Sequence, residues 1–308
     1  MNGAASPAVA VLVVTFNRAE MLRDALAALQ VQTHPLTHIL VVDNASTDET
    51  AQVLAAFPEV ETLRLPENGG SAGGFEAGLA HLAGQRYDWI WMMDDDVRPH
   101  PDALARLLAA GPDAVALTPV KVGSDGQVQA SHAGQYSVAR MQYIPHPVPT
   151  PEAPLRVDYA SFVGLLVRAE TATTIRPRAD FFIWHDDIEY TLRLRARGAL
   201  YLVPDARIEH REAEVSGAYV RRMGRRVART GTWRVYYGLR NRMLTNRAHG
   251  TPAEQALGIG WATFYLVRSL VSALVHYRAD PYRIRLLLRG YTDGLRGRSG
   301  PRVAPRRG

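Results

Sequence analysis

Three carboxylates in a row, Asp94-Asp95-Asp96, follow the apolar run Trp89 to Met93. Adjacent negative charges repel, and burying them unpaired is costly. A divalent cation removes the conflict, because Mg2+ and Mn2+ prefer carboxylate oxygen and bridge such groups to substrate phosphates. If the strand pleat continues, Asp94 and Asp96 point to one side and Asp95 to the other, so Asp94 and Asp96 can share one ion. A solvated acidic loop would contain the same residues. A second acidic group, Asp186-Asp187 with Glu189, stands where a helix is expected to begin. The helix macrodipole alone favours acids there. The glycines after Asn68 (Gly69, Gly70, Gly73, Gly74) either admit a ligand close to the backbone or simply turn a strand into a helix.

The elements that must position these residues follow from periodicity. "AVAVLVVTFN" is a continuous β-branched run of the kind buried on both faces of a parallel sheet. "RAEMLRDALAALQ" puts Met21, Leu22, Ala25, Leu26 and Leu29 on one helical face. "HILVVDN", "VETLRL" and "WIWMMDDD" read as further strands. Helices are predicted between them, one opened by a Ser46–Glu49 capping box and one by the glycines. "HPDALARLLAAG" is a helix with Pro101 in its first turn and Gly111 as its cap. Later, "DAVALTPV", "VDYASFVGLLV" and "GALYLVP" read as strands, and "DDIEYTLRLRARG" as a helix capped by Gly198. The alternation predicts an α/β fold with a mainly parallel sheet, and such sheets bind ligands beyond the carboxyl ends of their strands. Thr15-Phe16-Asn17-Arg18, Asp43-Asn44, Glu67 to Gly70 and Asp94 to Asp96 all fall there.

Five segments resemble a family 2 glycosyltransferase of GT-A fold: "VVTFNR", "VVDNASTDET", "ENGGSAGGFEAGL", "MMDDDV" and "FFIWHDDIEYTLRLRARG". They cover roughly residues 9–210. "NGGSAGGF", "IWHDDIEYTLR" and "YYGLRNRML" most resemble the bacterial galactofuranosyltransferase and rhamnosyltransferase branch. The resemblance implies a Rossmann-like mixed, mainly parallel sheet flanked by helices, with a C-terminal helical extension. It also implies a nucleotide-sugar donor (UDP- or dTDP-linked), a divalent metal (Mn2+ or Mg2+) and inversion at the anomeric carbon. On that reading Thr15, Asn17, Arg18, Asp43, Asn68, Gly70, Asp94 and Asp95 bind the donor. Asp94, Asp96 and His210 hold the metal. Trp184, His185 and Asp186 meet the acceptor, and Asp187 is the general base that an inverting transfer requires. Trp184 also suits a core, and a lone histidine such as His210 is often no ligand. "HREAEVSG" departs from the simpler stretch usual after that histidine.

The 308 residues, 47% hydrophobic, suffice for one sizeable core and a smaller second part. We expect a catalytic domain over 1–212, its donor half about 1–120 and its acceptor half about 121–212, followed by a helical, basic region over 213–308. There are no cysteines, which excludes disulfides, thiolate metal sites and cysteine nucleophiles. Val9 to Phe16 is too short for a signal sequence and reads as a strand. A Pro-rich stretch from Pro145 to Pro154 reads as an ordered loop or short linker. Residues 254–277 are apolar, but Arg268 near the middle favours an interfacial helix over a span. The arginines from Arg278 onward would then meet anionic lipid, at the cytoplasmic face of the cell membrane. "RRMGRRVART" (221–230) reads as a solvated face or a clamp on the pyrophosphate of a lipid-linked acceptor. The acceptor is expected to be a glycan or a polyprenyl-linked glycan. No nucleic-acid module is recognisable. A non-catalytic nucleotide-sugar binder on the same fold is the alternative, and a dehydrogenase is excluded because the first strand leads to "TFNR" rather than to a glycine-rich loop.

Overall fold

In the computed structural model, residues 6–111, 113–211, 219–222, 225–228, 231–277 and 279–304 are described, those from 219 to 228 by backbone alone. The side chains of 221–230 and of Arg278, Arg306 and Arg307 therefore lie outside the described residues.

Strand β1 (Val9–Thr15) is buried along its whole length, as a two-sided apolar run must be. It pairs in parallel with β2 (His38–Asp43) and with β4 (Trp89–Asp94), and β2 pairs in parallel with β3 (Glu61–Arg64). The period of two divides β1 between two cores. Ala10, Leu12 and Val14 pack with Phe75, Leu79 and Leu82 of helix α3 (Gly70–Leu82). Val9, Val11 and Val13 pack with Leu22, Leu26 and Leu29 of α1 (Ala19–Gln30) and with Leu104 and Leu107 of α4 (Ala103–Ala110). Each such side chain, fully buried, contributes about 1.5–3 kcal/mol. Parallel register brings Thr15 level with Asp43, and Val14 level with Asp94. The polar ends of three strands thus share one edge.

Beyond β4 the sheet becomes mixed. Its order is β3-β2-β1-β4-β11-β6-β12-β5, where β5 is Val97–Pro99, β6 Ala116–Val122, β11 Leu165–Arg168 and β12 Leu200–His210. β11 runs antiparallel to both β4 and β6, while β6 and β12 are parallel. A second sheet orders β10 (Tyr159–Ala160), β7 (Ala133–Ser137) and β8 (Gln142–Pro145).

Local expectations fail where tertiary contacts outbid them. The Ser46–Glu49 capping box does not form. Helix α2 begins later, at Thr50, and the Ser46 hydroxyl accepts from Asn17 N–H instead. "VDYASFVGLLV" is not one strand: β9 (Leu155–Val157), β10 and β11 share it, and Gly164 turns the chain with φ +74. Gly198 is not the helix cap, since α6 (Asp186–Arg195) ends at Ala196 in right-handed conformation. Gly111 caps α4 with φ −163, so no left-handed glycine is used there, and Pro101 precedes the helix, whose N-cap is Asp102. The β7–β8 hairpin was not foreseen.

Three helices complete the chain: α7 (Arg234–His249), α8 (Pro252–His276) and α9 (Pro281–Leu295). A capping box, Thr251 with Glu254, starts α8 behind Pro252. α7 is buried on most sides, with Tyr236, Tyr237, Leu239, Arg240, Asn241 and Met243 all inside. It abuts the loop before α6, where the chain needs close backbone approach. Gly70 has φ +73, and a Cβ there would lie 2.1 Å from the Phe182 carbonyl oxygen. Gly73, on the same helix, has open space. Gly70→Ala should therefore lower the stability by about 2 kcal/mol or more. Gly73→Ala should be neutral or slightly stabilising. Urea midpoints of the two variants check this contrast.

Candidate active site

β4 ends at Asp94. Asp95 and Asp96 form a turn, and the chain resumes as β5, which pairs with β12. The pleat therefore does not continue through the acids. Asp95 turns inward: its Oδ2 accepts from Thr15 Oγ1 at 2.7 Å, and its Oδ1 from Arg18 Nη1 at 3.0 Å. The same Nη1 donates to Asp96 Oδ2 at 2.8 Å. Burial still pushes Asp95 up to about 6. Burial, with the charges of Asp96 and Asp95, raises Asp94 well above the usual carboxylate range, and Asp186 adds to that repulsion. Asp94 and Asp186, about ninety residues apart in sequence, thus feel each other's field.

The residues present partly fit a cation. Asp96 Oδ1 is buried with no hydrogen-bond partner and lies 3.6 Å from His210 Nε2. Gln129 donates through Nε2 to the His210 carbonyl, so its Oε1, 2.7 Å from His210 Nδ1, accepts the ring proton. The His210 Nε2 then faces a carboxylate oxygen, the direction from which a cation could be bound. The imidazole also has the outer-shell hydrogen bond usual for a metal ligand. Asp96 and His210 are brought together as expected. Among the described residues, however, no three acidic or histidine groups converge as a metal cluster. The donor set Asp94, Asp96 and His210 is therefore not closed in this structure.

At the carboxyl ends of β1 and β2, Asn17 adopts φ +54 and its Oδ1 accepts from Thr47 N–H at 2.7 Å. Asp43 is buried, accepting from Ser46 N–H and from Arg64. Asn44 joins the β2 end to the glycine loop, donating to the Gly70 carbonyl and accepting from Gly69 N–H. Asn68 Oδ1 accepts from Gly70 N–H at 2.8 Å. What Gly70 itself approaches is the Phe182 backbone. Thr15, Asn17, Arg18, Asp43, Asn68, Gly70, Asp94 and Asp95 lie on one rim.

On the opposite side, Phe182, Trp184 and His185 all adopt positive φ, between 64° and 67°. Non-glycine residues hold this conformation at about 1–2 kcal/mol each, so the surroundings must impose it. Asn241 and Arg240 do so. Asn241 Nδ2 lies within 3.0 Å of the carbonyls of Phe181, Ile183 and Trp184. Arg240 donates to the carbonyls of Asp180 and Phe181. Both are fully buried. His185 accepts at Nε2 from Arg242, and burial keeps the ring neutral. Asp186 and Asp187 open α6. Burial raises both, and the charge of Asp187 raises Asp186 further. Backbone N–H groups and the Lys121 cation restrain Asp187, which reaches about 6. Glu189 is occupied by Arg193.

Three participants escaped the sequence reading. Lys121, buried in β6, donates to Thr118 and is pulled down to about 7 by burial. A lysine inside the apolar "TPVKV" run was the available signal. Gln129 and the Arg240-Asn241 pair gave none, since polar residues on a predicted helix or loop read as solvated.

The model of the family described as "Glycosyl transferase family 2" matches residues 10–170. The chain belongs to glycosyl transferase family 2. The matched span holds the rim from Thr15 to Asp96 and stops before Asp186. Among family relatives, galactofuranosyltransferase GlfT1 of Mycolicibacterium smegmatis is 38% identical over 92 residues, 30% of each chain. N-acetylglucosaminyl-diphospho-decaprenol L-rhamnosyltransferase of Mycobacterium tuberculosis is 27% identical over 236 residues, 67% of this chain and 77% of the relative. The first matches to curated relatives thus span less than a third of their length. Solved structures establish the GT-A fold. GalNAc-T7 with UDP, GalNAc and Mn2+ gives a TM-score of 0.61 at 14% identity, covering 95% of this chain and 56% of that one. The mannosyltransferase PcManGT of Pyrobaculum calidifontis, with GDP-Man and Mn2+, gives 0.56 at 19% identity, covering 95% and 88%.

Because the two Nδ2 hydrogens of Asn241 are shared among three carbonyls of one strained loop, Asn241→Ala should cost about 2–4 kcal/mol in unfolding free energy. Surface Asn-to-Ala changes should stay within about 0.5 kcal/mol. Chemical denaturation distinguishes the two.

Proposed function

We propose that this chain is an inverting glycosyltransferase. It moves a sugar from a UDP- or dTDP-sugar, galactofuranose or rhamnose by preference, to a hydroxyl of a glycan or polyprenyl-linked glycan precursor. The observation that carries this reading is the approach of two acidic groups from opposite sides of one site. Asp94, at a strand end beside the nucleotide-side residues, lies in the field of Asp186, whose neighbour Asp187 opens α6. A donor held by the first group would present its anomeric carbon toward the second.

In this scheme Thr15, Asn17, Arg18 and Asp43 hold the nucleotide, and Asn68, Gly70 and Asp95 keep the rim in shape. Asp96 and His210, with Asp94, would hold Mn2+ or Mg2+, an assignment supported by the Mn2+ in two structural neighbours. When bound, the ion supplies Lewis-acid stabilisation of the departing diphosphate. Trp184, His185 and Asp186 shape the acceptor side. Asp187 takes the proton of the acceptor hydroxyl as its oxygen bonds to the anomeric carbon and the carbon–oxygen bond to the diphosphate breaks. Lys121, next to Asp187 in charge if not in sequence, restrains the rise of its proton affinity.

α8 is long and apolar enough by composition to cross a membrane. Leu257, Phe264, Val267, Val271, Leu274 and Val275 are exposed on one side of it. We read it as an interfacial helix resting on an anionic membrane, with arginines such as Arg268 and Arg285 at the lipid head groups.

A base must be unprotonated, so transfer should rise with pH through an apparent value near 6, the value to which burial raises Asp187. Asp187→Asn should lower kcat by about two to four orders of magnitude while leaving donor affinity unchanged. Transfer assays across pH, with calorimetric titration of the donor, check both; donor binding without turnover in the wild type would identify a mere binder. Val271→Asp with Leu274→Asp should abolish co-sedimentation with anionic vesicles and leave transfer to a soluble acceptor intact.

A further inference from the structure

Helix α7 turns three residues of one face, Gly238, Asn241 and Arg242, toward the loop before α6, because positions three and four apart are neighbours on a helix. Asn241 Nδ2 donates to the Trp184 carbonyl at 2.7 Å, and Arg242 Nε donates to His185 Nε2 at 3.0 Å. Gly238 meets the Trp184 side chain itself. A Cβ at Gly238 would lie 2.7 Å from Trp184 Cε3 and 3.0 Å from Cζ3, the first closer than real Cβ atoms come. Glycine inside a helix is destabilising relative to alanine. No positive φ accounts for it at Gly238. The indole does.

The contact has a direction. Only Cε3 and Cζ3 come within 4 Å of that Cβ position, so the indole meets α7 by the edge of its six-membered ring. Nε1 stands on the opposite edge of an indole, and its N–H therefore points away from the helix. Trp184 is half-buried, and among the described residues its N–H has no acceptor and its faces carry no stacked ring or cation. An aromatic ring supported at one edge, with its faces and its donor uncommitted, can rest against the C–H surface of a sugar and hydrogen-bond one of its oxygens.

The backbone ties this ring to α6. Trp184 and His185 both hold φ +64, and the next residues, Asp186 and Asp187, open the helix. Asn241 fixes the Trp184 carbonyl and Arg242 the His185 ring, which leaves the side-chain torsions of Trp184 as the free variables. Gly238 limits those. A methyl group there would push the indole edge outward, while the backbone that carries Asp187 stayed in place.

We propose that Gly238 is a positioning residue for the acceptor: it sets how far the Trp184 indole stands out from α7, and thereby where an acceptor sugar rests against that ring. This rests on the transferase reading above, and its test requires no turnover. The full chain, saturated with UDP and Mn2+, is titrated with methyl β-D-galactofuranoside and with methyl α-L-rhamnopyranoside, followed by saturation-transfer NMR. The wild type should bind at least one of them. Gly238→Ala should weaken that binding at least fivefold and leave the UDP affinity within twofold. Trp184→Leu should weaken it at least as much, and adding Gly238→Ala to Trp184→Leu should change nothing further. A merely structural glycine would lower glycoside and UDP affinity together, and that result overturns the proposal. So would a wild type that binds neither glycoside, or a glycoside affinity unchanged in Gly238→Ala or in Trp184→Leu. Should Gly238→Ala not fold, the double variant decides, because its alanine has no indole to displace: an affinity equal to that of Trp184→Leu supports the assignment, and a further loss overturns it. A chain that transfers sugar while Gly238→Ala binds both glycosides like the wild type would remove this role and leave the transferase reading standing.

Discussion

One guanidinium nitrogen, Arg18 Nη1, lies 3.0 Å from Asp95 and 2.8 Å from Asp96. Both carboxylates are nearly inaccessible, and Asp94 beside them is raised by their charges. Paired burial of this kind is tolerated only when hydrogen bonds complete it. Thr15 completes Asp95; β1 pairs with β4 up to Val14 opposite Asp94, Thr15 is the next residue, and Arg18 stands at the N-cap of α1. Asp96 is left incomplete, with Oδ1 unpartnered opposite His210. The turn at Asp95–Asp96, the pairing of β5 with β12 and the hydrogen bond from His210 to Gln129 all serve that one arrangement.

The loop before α6 rests on a different constraint. Three consecutive-region residues with left-handed backbone cannot hold that shape alone. The helix that holds them, α7, comes some sixty residues later and gives up its own amphipathic pattern to do so, burying Arg240 and Asn241 against backbone carbonyls. The C-terminal helices therefore meet the rest of the fold at the loop that leads into Asp186 and Asp187. The loop's shape depends on α7 as much as on its own residues.

Proton affinities around the site follow from this layout. Burial lifts Asp186 and Asp187 together, and the buried Lys121 opposes the rise at Asp187. Burial equally holds His185 neutral, which lets it accept from Arg242. A low-dielectric pocket thus sets an acid upward, a lysine downward and a histidine toward neutrality, and the three displacements share one cause.

The sequence by itself determined strands β1 to β4, the helix α3 and the polar strand ends. Those depend on short-range periodicity, and parallel register then aligns the ends without further information. It also carried the family motifs and the residue types at Asp94, Asp96 and Asp187. It misjudged the Ser46 cap and the pleat through Asp96, because local preference there yields to partners far along the chain: Asn17 for Ser46, Arg18 and β12 for the acidic turn. Only the tertiary structure decided that Lys121 is buried, that Gln129 orients His210 and that Asn241 clamps the Trp184 loop. The last two are contacts between residues 81 and 57 positions apart, and nothing in a local window distinguishes a polar side chain bound for water from one bound for a buried carbonyl.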